Sequence, residues 1–449
     1  MTATTIEPAE QDPMPASAAG VGARGVDAGM LGLTPFLIML YSACLPQEVR
    51  LVVGGLSIYP YRMAAFVLLP WLLNRLFRGQ IRLTAIDAMV LAGALWMQIS
   101  FIVFYGATEG LVRGGALLID ILPPFFVARI CVRSPLDLRR IIVLAVPVLI
   151  FVGVSMLIES ISGQALIRPW AASQFGPLSS YENGVEVGLF DGAFDYRLGM
   201  LRAAGPFPHP ILAGLFLASF LPLILQGGLK RWPLYFGVLA GMLAVFSISS
   251  AAWLSLVLAL VLVAYDRIQQ KVEILNWQGG LVAGGIVLIG LQAASQSGLI
   301  SVLIRFTLNP GTAYYRKMIW DFGIRSVERN PWFGIGYTDF ERATWMTNSV
   351  DNHWLLLAIR HGFLPSVLFL AVCGVLIFRL SATSLSLAEP DRRLFVGVAI
   401  ALFALVLAGF TVAFVGGMHT WLFLLLGAAT SVSFAIPFSG VSTLNRRLG

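Results

Sequence analysis

From about residue 30 onward the chain alternates long apolar runs with polar connections. The runs fall at roughly 30–47, 59–76, 84–105, 111–131, 138–160, 207–226, 232–249, 250–266, 279–296, 353–379, 392–414 and 417–437. Most are close to the ~20 residues that cross a ~30 Å hydrocarbon core. In lipid every backbone polar group must be satisfied within its own segment, so each run is predicted to be a helix. The pattern therefore predicts an all-α integral membrane fold with about 12 transmembrane helices. The stretch 232–266 is too long for one ordinary span, and a minimal turn is placed near Ser247–Ser250. Residues 1–28, rich in Ala, Gly, Pro and Glu without an apolar period, read as a disordered cytoplasmic tail. They lack the basic start and immediate apolar run of a cleaved signal peptide. The membrane domain then covers 29–437, and 438–449 is a second cytoplasmic tail.

Composition agrees: of 449 residues, 58% are hydrophobic and 12% charged, against about 25% charged in a soluble domain. The net charge of +7 is therefore a topology signal before it is a ligand signal, and it is no indication of nucleic acid. Alternate connections hold Arg75, Arg78 and Arg82; Arg129, Arg133, Arg139 and Arg140; Lys230 and Arg231; Arg267 and Lys271; Arg379, Arg392 and Arg393; the C-terminal tail adds Arg446 and Arg447. All share one side if both termini are cytoplasmic. The opposite side then receives short connections at 48–58 and 415–416 and two large outer loops, 162–206 and 297–352. Loops of that length tend to carry function. Cys44, Cys131 and Cys373 have no metal or redox spacing, and neither a metal site nor a cofactor is expected.

The outer loops carry basic residues where topology alone would make them scarce. Arg197 and Arg202 precede a Gly-Pro turn, GPFPHP, that also holds His209. Such a turn serves either as a stiff connection with solvated arginines or as a rigid mount for a phosphate-binding fork. In the second loop, Arg316, Trp320, Ile324 and Val327 have helical spacing, so residues 313–329 are predicted to form a surface helix. Arg325 and Arg329 sit one turn apart on it, within reach of Glu328 or Asp321 as ordinary surface pairs. Gly334-Ile335-Gly336 is a turn first and a phosphate loop only weakly. Asp351, Asn352 and His353 stand at the head of the next run; Asp and Asn there are good helix caps, and Asp or His there is also a general-base candidate. Arg360 and His361 follow at membrane depth, and Arg62 and Asp120 lie in other runs, where ionisable groups are functional suspects and these two are candidate partners. His419, in a short connection, reads as incidental.

The segments RAAGPFPHPILAG, RKMIWDFGIRSVERNPWFGIGYTDF and VDNHWLLLAIRHGFLP, in this order, resemble the O-antigen ligase and O-antigen polymerase-like superfamily over about 200–365. The resemblance implies a GT-C-like fold in the bacterial inner membrane with its active face toward the periplasm. It implies a metal-independent glycosyltransferase that transfers or polymerises oligosaccharide carried on undecaprenyl pyrophosphate, in exopolysaccharide or O-antigen biosynthesis. The partners implied are that donor, a glycan acceptor, membrane lipids and other polysaccharide-export proteins. By the family pattern Arg202 and Arg316 engage the donor pyrophosphate and Asp351 or His353 is the base; Arg197, Arg325, Asn352, His209 and Arg360 are the further substrate-binding candidates. The ligase branch carries His-Asn where this chain has Asp351-Asn352, which favours the exopolysaccharide polymerase branch over a ligase acting on lipid A core. A flippase for the same lipid-linked glycan is the rival from another class, and it would place its ionisable groups along a central path.

Overall fold

The structure, a computed structural model, describes residues 19–53, 56–178, 181–182, 185–186, 196–272, 277, 286 and 310–435. Its described helices are α1 (Ala19–Ala43), α2 (Pro60–Phe77), α3 (Ala85–Tyr105), α4 (Ala107–Cys131), α5 (Pro135–Ser162), α6 (Ile167–Phe175), α7 (Pro210–Gln226), α8 (Trp232–Met242), α9 (Ser250–Gln269), α10 (Pro310–Arg329), α11 (His353–His361), α12 (Phe363–Ser384), α13 (Asp391–Gly409) and α14 (Gly417–Ala435). Seven of them are long and apolar enough to cross a membrane, and Gly29–Ala43, Pro210–Gln226 and Trp232–Ser247 are shorter apolar helical stretches. The chain is thus a largely helical, multi-pass membrane protein. The run expected at 279–296, the start of the second long loop and most of both tails lie outside the described residues.

Four expectations change. First, α1 begins at Ala19, inside the segment expected to be tail. The segment after Ala19 has no proline before Pro35, so nothing in it forbids helical hydrogen bonding. Second, the fold is not purely helical: antiparallel ribbons form at Leu51–Val53 with Leu56–Ile58, Tyr181–Glu182 with Val185–Glu186, and Tyr196–Arg197 with Met200–Leu201. The third joins its two short strands through the Leu198-Gly199 turn. Third, the single span expected at 353–379 is two helices. Gly362 between them has φ +81°, and a side chain there would collide with the Trp332 backbone. Phe363 N–H donates to the Pro331 carbonyl at 2.9 Å, and Ile335 and Gly336 N–H donate to the carbonyls of Ile359 and Arg360 at 2.9 and 3.1 Å. The GIG turn therefore clasps the end of α11 and uses its backbone donors there. Fourth, α10 extends the predicted surface helix at its start, to Pro310–Arg329. The turn expected near Ser247–Ser250 is present: a 3₁₀ turn, Leu243–Ser247, leads to Ile248 in the left-handed region before α9.

The core is a continuous apolar cluster through α1, α3, α4, α5, α7, α13 and α14. Trp421 anchors it, stacking on Phe220 at 4.1 Å and donating to Ser219 Oγ at 2.9 Å. At one end of the bundle Arg129 pairs with Asp87, Arg139 with Asp391 and Arg392 with Asp266. At the other end the long connections meet. Arg50 Nη2 donates to the Pro177 carbonyl at 2.8 Å, and Arg168 pairs with Glu48 at 2.8 Å.

Candidate active site

The long-loop end is organised by a buried carboxylate that the sequence reading did not single out. Glu159, in the last turn but one of α5, is 1% exposed. Its Oε1 accepts from the N–H groups of Leu166 and Ile167 at 3.0 and 3.4 Å, and its Oε2 from those of Ala204 and Gly205 at 3.2 and 2.8 Å. Four donors on one carboxylate fix the start of α6 and the turn after Arg202 to the same helix. Ser160 Oγ adds a bond to the Leu201 carbonyl at 2.9 Å, and Ala203 N–H reaches the Phe246 carbonyl at 3.1 Å. Gly205 has φ +53°, and a Cβ there would press on Ser155 Oγ at 2.7 Å, so the turn needs glycine. Arg202 is therefore buried on a backbone held from both sides. Arg168, also missed, donates to the Pro208 carbonyl at 2.9 Å while paired to Glu48, both side chains being almost fully enclosed. The available signal was an ionisable residue at the end of an apolar run, which is a suspect by default.

His209 sits at the loop side of α7. Its Nδ1 accepts from Ile211 N–H at 3.1 Å, so the ring caps the helix in its neutral form. Burial pushes its pKa down to about 3, and the positive charges of Arg202, Arg168, Arg316 and Arg197 push the same way. The charges of four guanidiniums, from α6, the third ribbon, the Gly-Pro turn and α10, therefore bear on one imidazole. Protonation of His209 in the unfolded chain but not in the folded one makes stability rise with pH between about 3 and the ordinary histidine value. We expect the unfolding temperature of the detergent-solubilised protein to fall as pH is lowered from 7 to 5. His209→Asn, which keeps a capping acceptor, should flatten that dependence; an equal slope in both proteins would contradict the placement.

Arg316 joins the same group from α10. Its Nε is buried with no hydrogen-bond partner among the described residues. Burial lowers its pKa, Asp351 opposes that, and Arg197 adds to it. Asp351 is thus the carboxylate whose charge supports Arg316, and its Oδ1 accepts from Ser349 Oγ at 3.2 Å. Asn352 is a helix cap: Oδ1 accepts from Leu355 N–H at 2.9 Å and Nδ2 donates to the Phe410 carbonyl at 2.7 Å. Arg325 is exposed and packs its guanidinium over Phe322 of its own helix at 5.1 Å, apart from the four that meet at His209. Asp321 pairs with Lys317 and Arg329 with Glu341, so neither expected partner of Arg325 is used by it.

The remaining candidates form a second group. His353 stacks on Phe414 at 4.9 Å, with His419 edge-on at 5.7 Å. Arg62 and Asp120 are partners, as their isolation in apolar runs implied, in a bidentate pair at 2.7 and 2.6 Å. His361 Nδ1 shares a hydrogen bond with Ser100 Oγ at 2.8 Å. Arg360 lies over the Tyr337 ring at 5.0 Å. His419, read as incidental, belongs with these residues at one cavity; a histidine in a two-residue connection carries no pattern that could have placed it.

Among the described residues no group of three or more His, Cys, Asp or Glu is placed to hold a metal ion, and the three cysteines are buried and unpaired. The chemistry this end offers is anion binding by guanidinium forks beside one carboxylate, next to a mixed polar and aromatic cavity.

A search of curated proteins finds no match to the chain. The family model for O-antigen ligase matches residues 235–370. That segment holds Arg316, Asp351, His353 and Arg360, while Arg197, Arg202 and His209 reach the same site from outside it. This membrane protein thus carries a segment similar to the O-antigen ligase family over less than a third of its length; two of the three ordered motifs lie inside that segment and RAAGPFPHPILAG lies before it.

Proposed function

We propose that the protein is a repeat-unit polymerase: an inner-membrane glycosyltransferase that extends a surface polysaccharide at the periplasmic face from an undecaprenyl-pyrophosphate-linked oligosaccharide. The observation that carries this reading is the convergence of Arg197, Arg202 and Arg316 around His209 with Asp351 beside them. Arg168 and Glu159 are nearby but committed to Glu48 and to four backbone donors. Three arginines, one of them under the influence of the Asp351 carboxylate, suit a diphosphate, whose charge grows as its bond to the sugar breaks.

In the reaction the acceptor hydroxyl attacks the anomeric carbon of the donor. The new C–O bond forms as the bond from that carbon to the diphosphate oxygen breaks, and the electron pair leaves with the polyprenyl diphosphate. The hydroxyl proton passes to the Asp351 carboxylate. Arg316 and Arg202 stabilise the leaving diphosphate, and Arg197 holds it in register. Asp351 is preferred over His353 as the base because it faces the arginines and has no capping duty, whereas His353 is stacked into the cavity wall. The apolar groove between α1 and α5, lined by Ile38, Tyr41 and Phe151 among others, is where the polyprenyl chain would lie. The arginine-rich alternate connections, which share one side when both termini are cytoplasmic, support that orientation.

Purified protein incubated with the lipid-linked oligosaccharide of its own cell should yield a ladder of products lengthened by whole repeat units. Asp351→Asn should cost about 10²- to 10⁴-fold in that rate, the scale of general-base catalysis. Transfer onto lipid A core instead of a ladder would make the protein a ligase. Lipid-linked glycan moved across a vesicle membrane with unchanged mass would make it a flippase and end this reading.

A further inference from the structure

The cavity beside His353 has a different character from the arginine cluster. It lies where Gln47 after α1, Tyr61 and Arg62 at the start of α2, α11 and the first turn of α14 (His419) meet. Its volume is about 80 Å³, several times the ~10–15 Å³ that one water needs. Asp120 neutralises Arg62, and Arg62 Nη1 also donates to the Ser57 carbonyl at 3.1 Å. The rings of Tyr59 and Tyr61, stacked on each other at 5.7 Å, flank the Arg62 guanidinium at 5.3 and 5.8 Å. The wall is therefore aromatic and close to neutral, with Arg360 its one cation lacking a carboxylate partner among the described residues.

Several buried polar groups face this space unpaired. Gln47 is 4% exposed and its Oε1 has no hydrogen-bond partner among the described residues. Arg360 Nη2 is likewise buried without one. His353 is 3% exposed, and its ring makes stacking contacts but no hydrogen bond to the described residues. A buried polar group left unpaired is costly, so this arrangement asks for a ligand that offers both donors and acceptors. A diphosphate fits poorly, since it offers mainly acceptors and would face the Asp120 carboxylate. An apolar chain would leave every one of these groups unsatisfied. A sugar ring supplies hydroxyls that both donate and accept, and apolar C–H faces that pack on aromatic rings.

We propose that this cavity is the subsite for the terminal sugar of the acceptor glycan. The assignment rests on the polymerase reading for the word acceptor, but the sugar site itself is testable without turnover. Asp351 is two residues from His353, so its backbone lies within about 7 Å of the cavity wall. A sugar seated there would present a hydroxyl toward Asp351 on the side away from the arginines. The nucleophile would then approach the donor carbon from the side opposite to the departing diphosphate.

The experiment uses the full chain in lipid nanodiscs and two probes. One is the oligosaccharide released by mild acid from the surface polysaccharide of the cell that makes the protein; the other is inorganic diphosphate. Calorimetric titration should show that Gln47→Leu and His419→Phe each weaken oligosaccharide binding about tenfold or more while diphosphate binding stays within about twofold of wild type. Arg316→Ala should do the reverse. Variants are compared only when their thermal unfolding matches wild type; Gln47→Ala, which only deletes atoms, replaces Gln47→Leu if that one unfolds early. Undiminished oligosaccharide affinity in a well-folded cavity variant, or no oligosaccharide binding by the wild type, would overturn the assignment and leave a cavity filled by water. Loss of diphosphate binding in the cavity variants would also overturn it, by making this the diphosphate site. Diphosphate binding indifferent to Arg316 would instead sink the polymerase reading, with the sugar result standing by itself.

Discussion

Replacing Arg316 with alanine should lower glycan transfer by about 10²- to 10³-fold, the cost of deleting one donor aimed at charge that develops in the transition state. The guanidinium is held where its charge is disfavoured. Burial lowers its pKa, Arg197 lowers it further, and only Asp351 raises it. A cation kept under those conditions with an unpaired buried Nε contributes little to folding and waits for an anion. The predicted signature is therefore a split. Activity collapses, while the unfolding temperature stays level or rises, because removing a charge from a desolvated, like-charged setting relieves repulsion. Arg316→Lys should recover only part of the rate, since an ammonium cannot offer the two parallel donors of a fork. The measurement is turnover of lipid-linked donor by purified protein, with thermal unfolding in parallel. Transfer within threefold of wild type at normal unfolding would remove Arg316 from the chemistry, and with it the main support for the diphosphate site.

The sequence carried the long-range architecture because hydropathy and charge write it in repeated units. Every run of about twenty apolar residues repeats the same physical statement, and each basic connection checks its parity. The arginines of the two long connections stood out for the same reason: their charge contradicts the side of the membrane expected for them. The break inside 353–379 was not legible. Arg360 and His361 lie inside that run without marking an end, and what divides it is the backbone of residues 331–336 docking on Gly362 from elsewhere in the chain. Likewise no spacing announces that His353, His419 and Arg62 share a cavity, because they come from α11, α14 and α2 and meet only through packing. Asn352 was ambiguous between cap and ligand until both ends of its amide had partners.

Glu159 shows the same limit in its sharpest form, and it carries the second large effect. In the sequence it is one acidic residue near the end of an apolar run; in the fold its carboxylate gathers N–H groups from two separate connections. Glu159→Ala would leave four donors at a buried site without their acceptor, at about 1–3 kcal/mol for each that finds no other partner. We expect a destabilisation of at least about 3 kcal/mol, seen as a fall in unfolding temperature and a poor yield of folded protein. The more informative change is Glu159→Gln. One oxygen remains to accept, but the amide nitrogen now points its hydrogens at the other pair of N–H groups. If the oxygen stays with Leu166 and Ile167, the turn at Ala204 and Gly205 is released, and Arg202 with it. Glu159 is thus a positioning residue, acting on the diphosphate only through Arg202. Its glutamine variant should raise the donor KM by about tenfold or more, the scale of a lost charge-assisted hydrogen bond, with a smaller fall in kcat. A merely structural carboxylate would lower the yield of active protein and leave the donor KM of the folded fraction where it was. That outcome would detach Glu159 from the site, and the rigid mounting of Arg202 would then have to come from Ser160 and the Phe246 carbonyl alone.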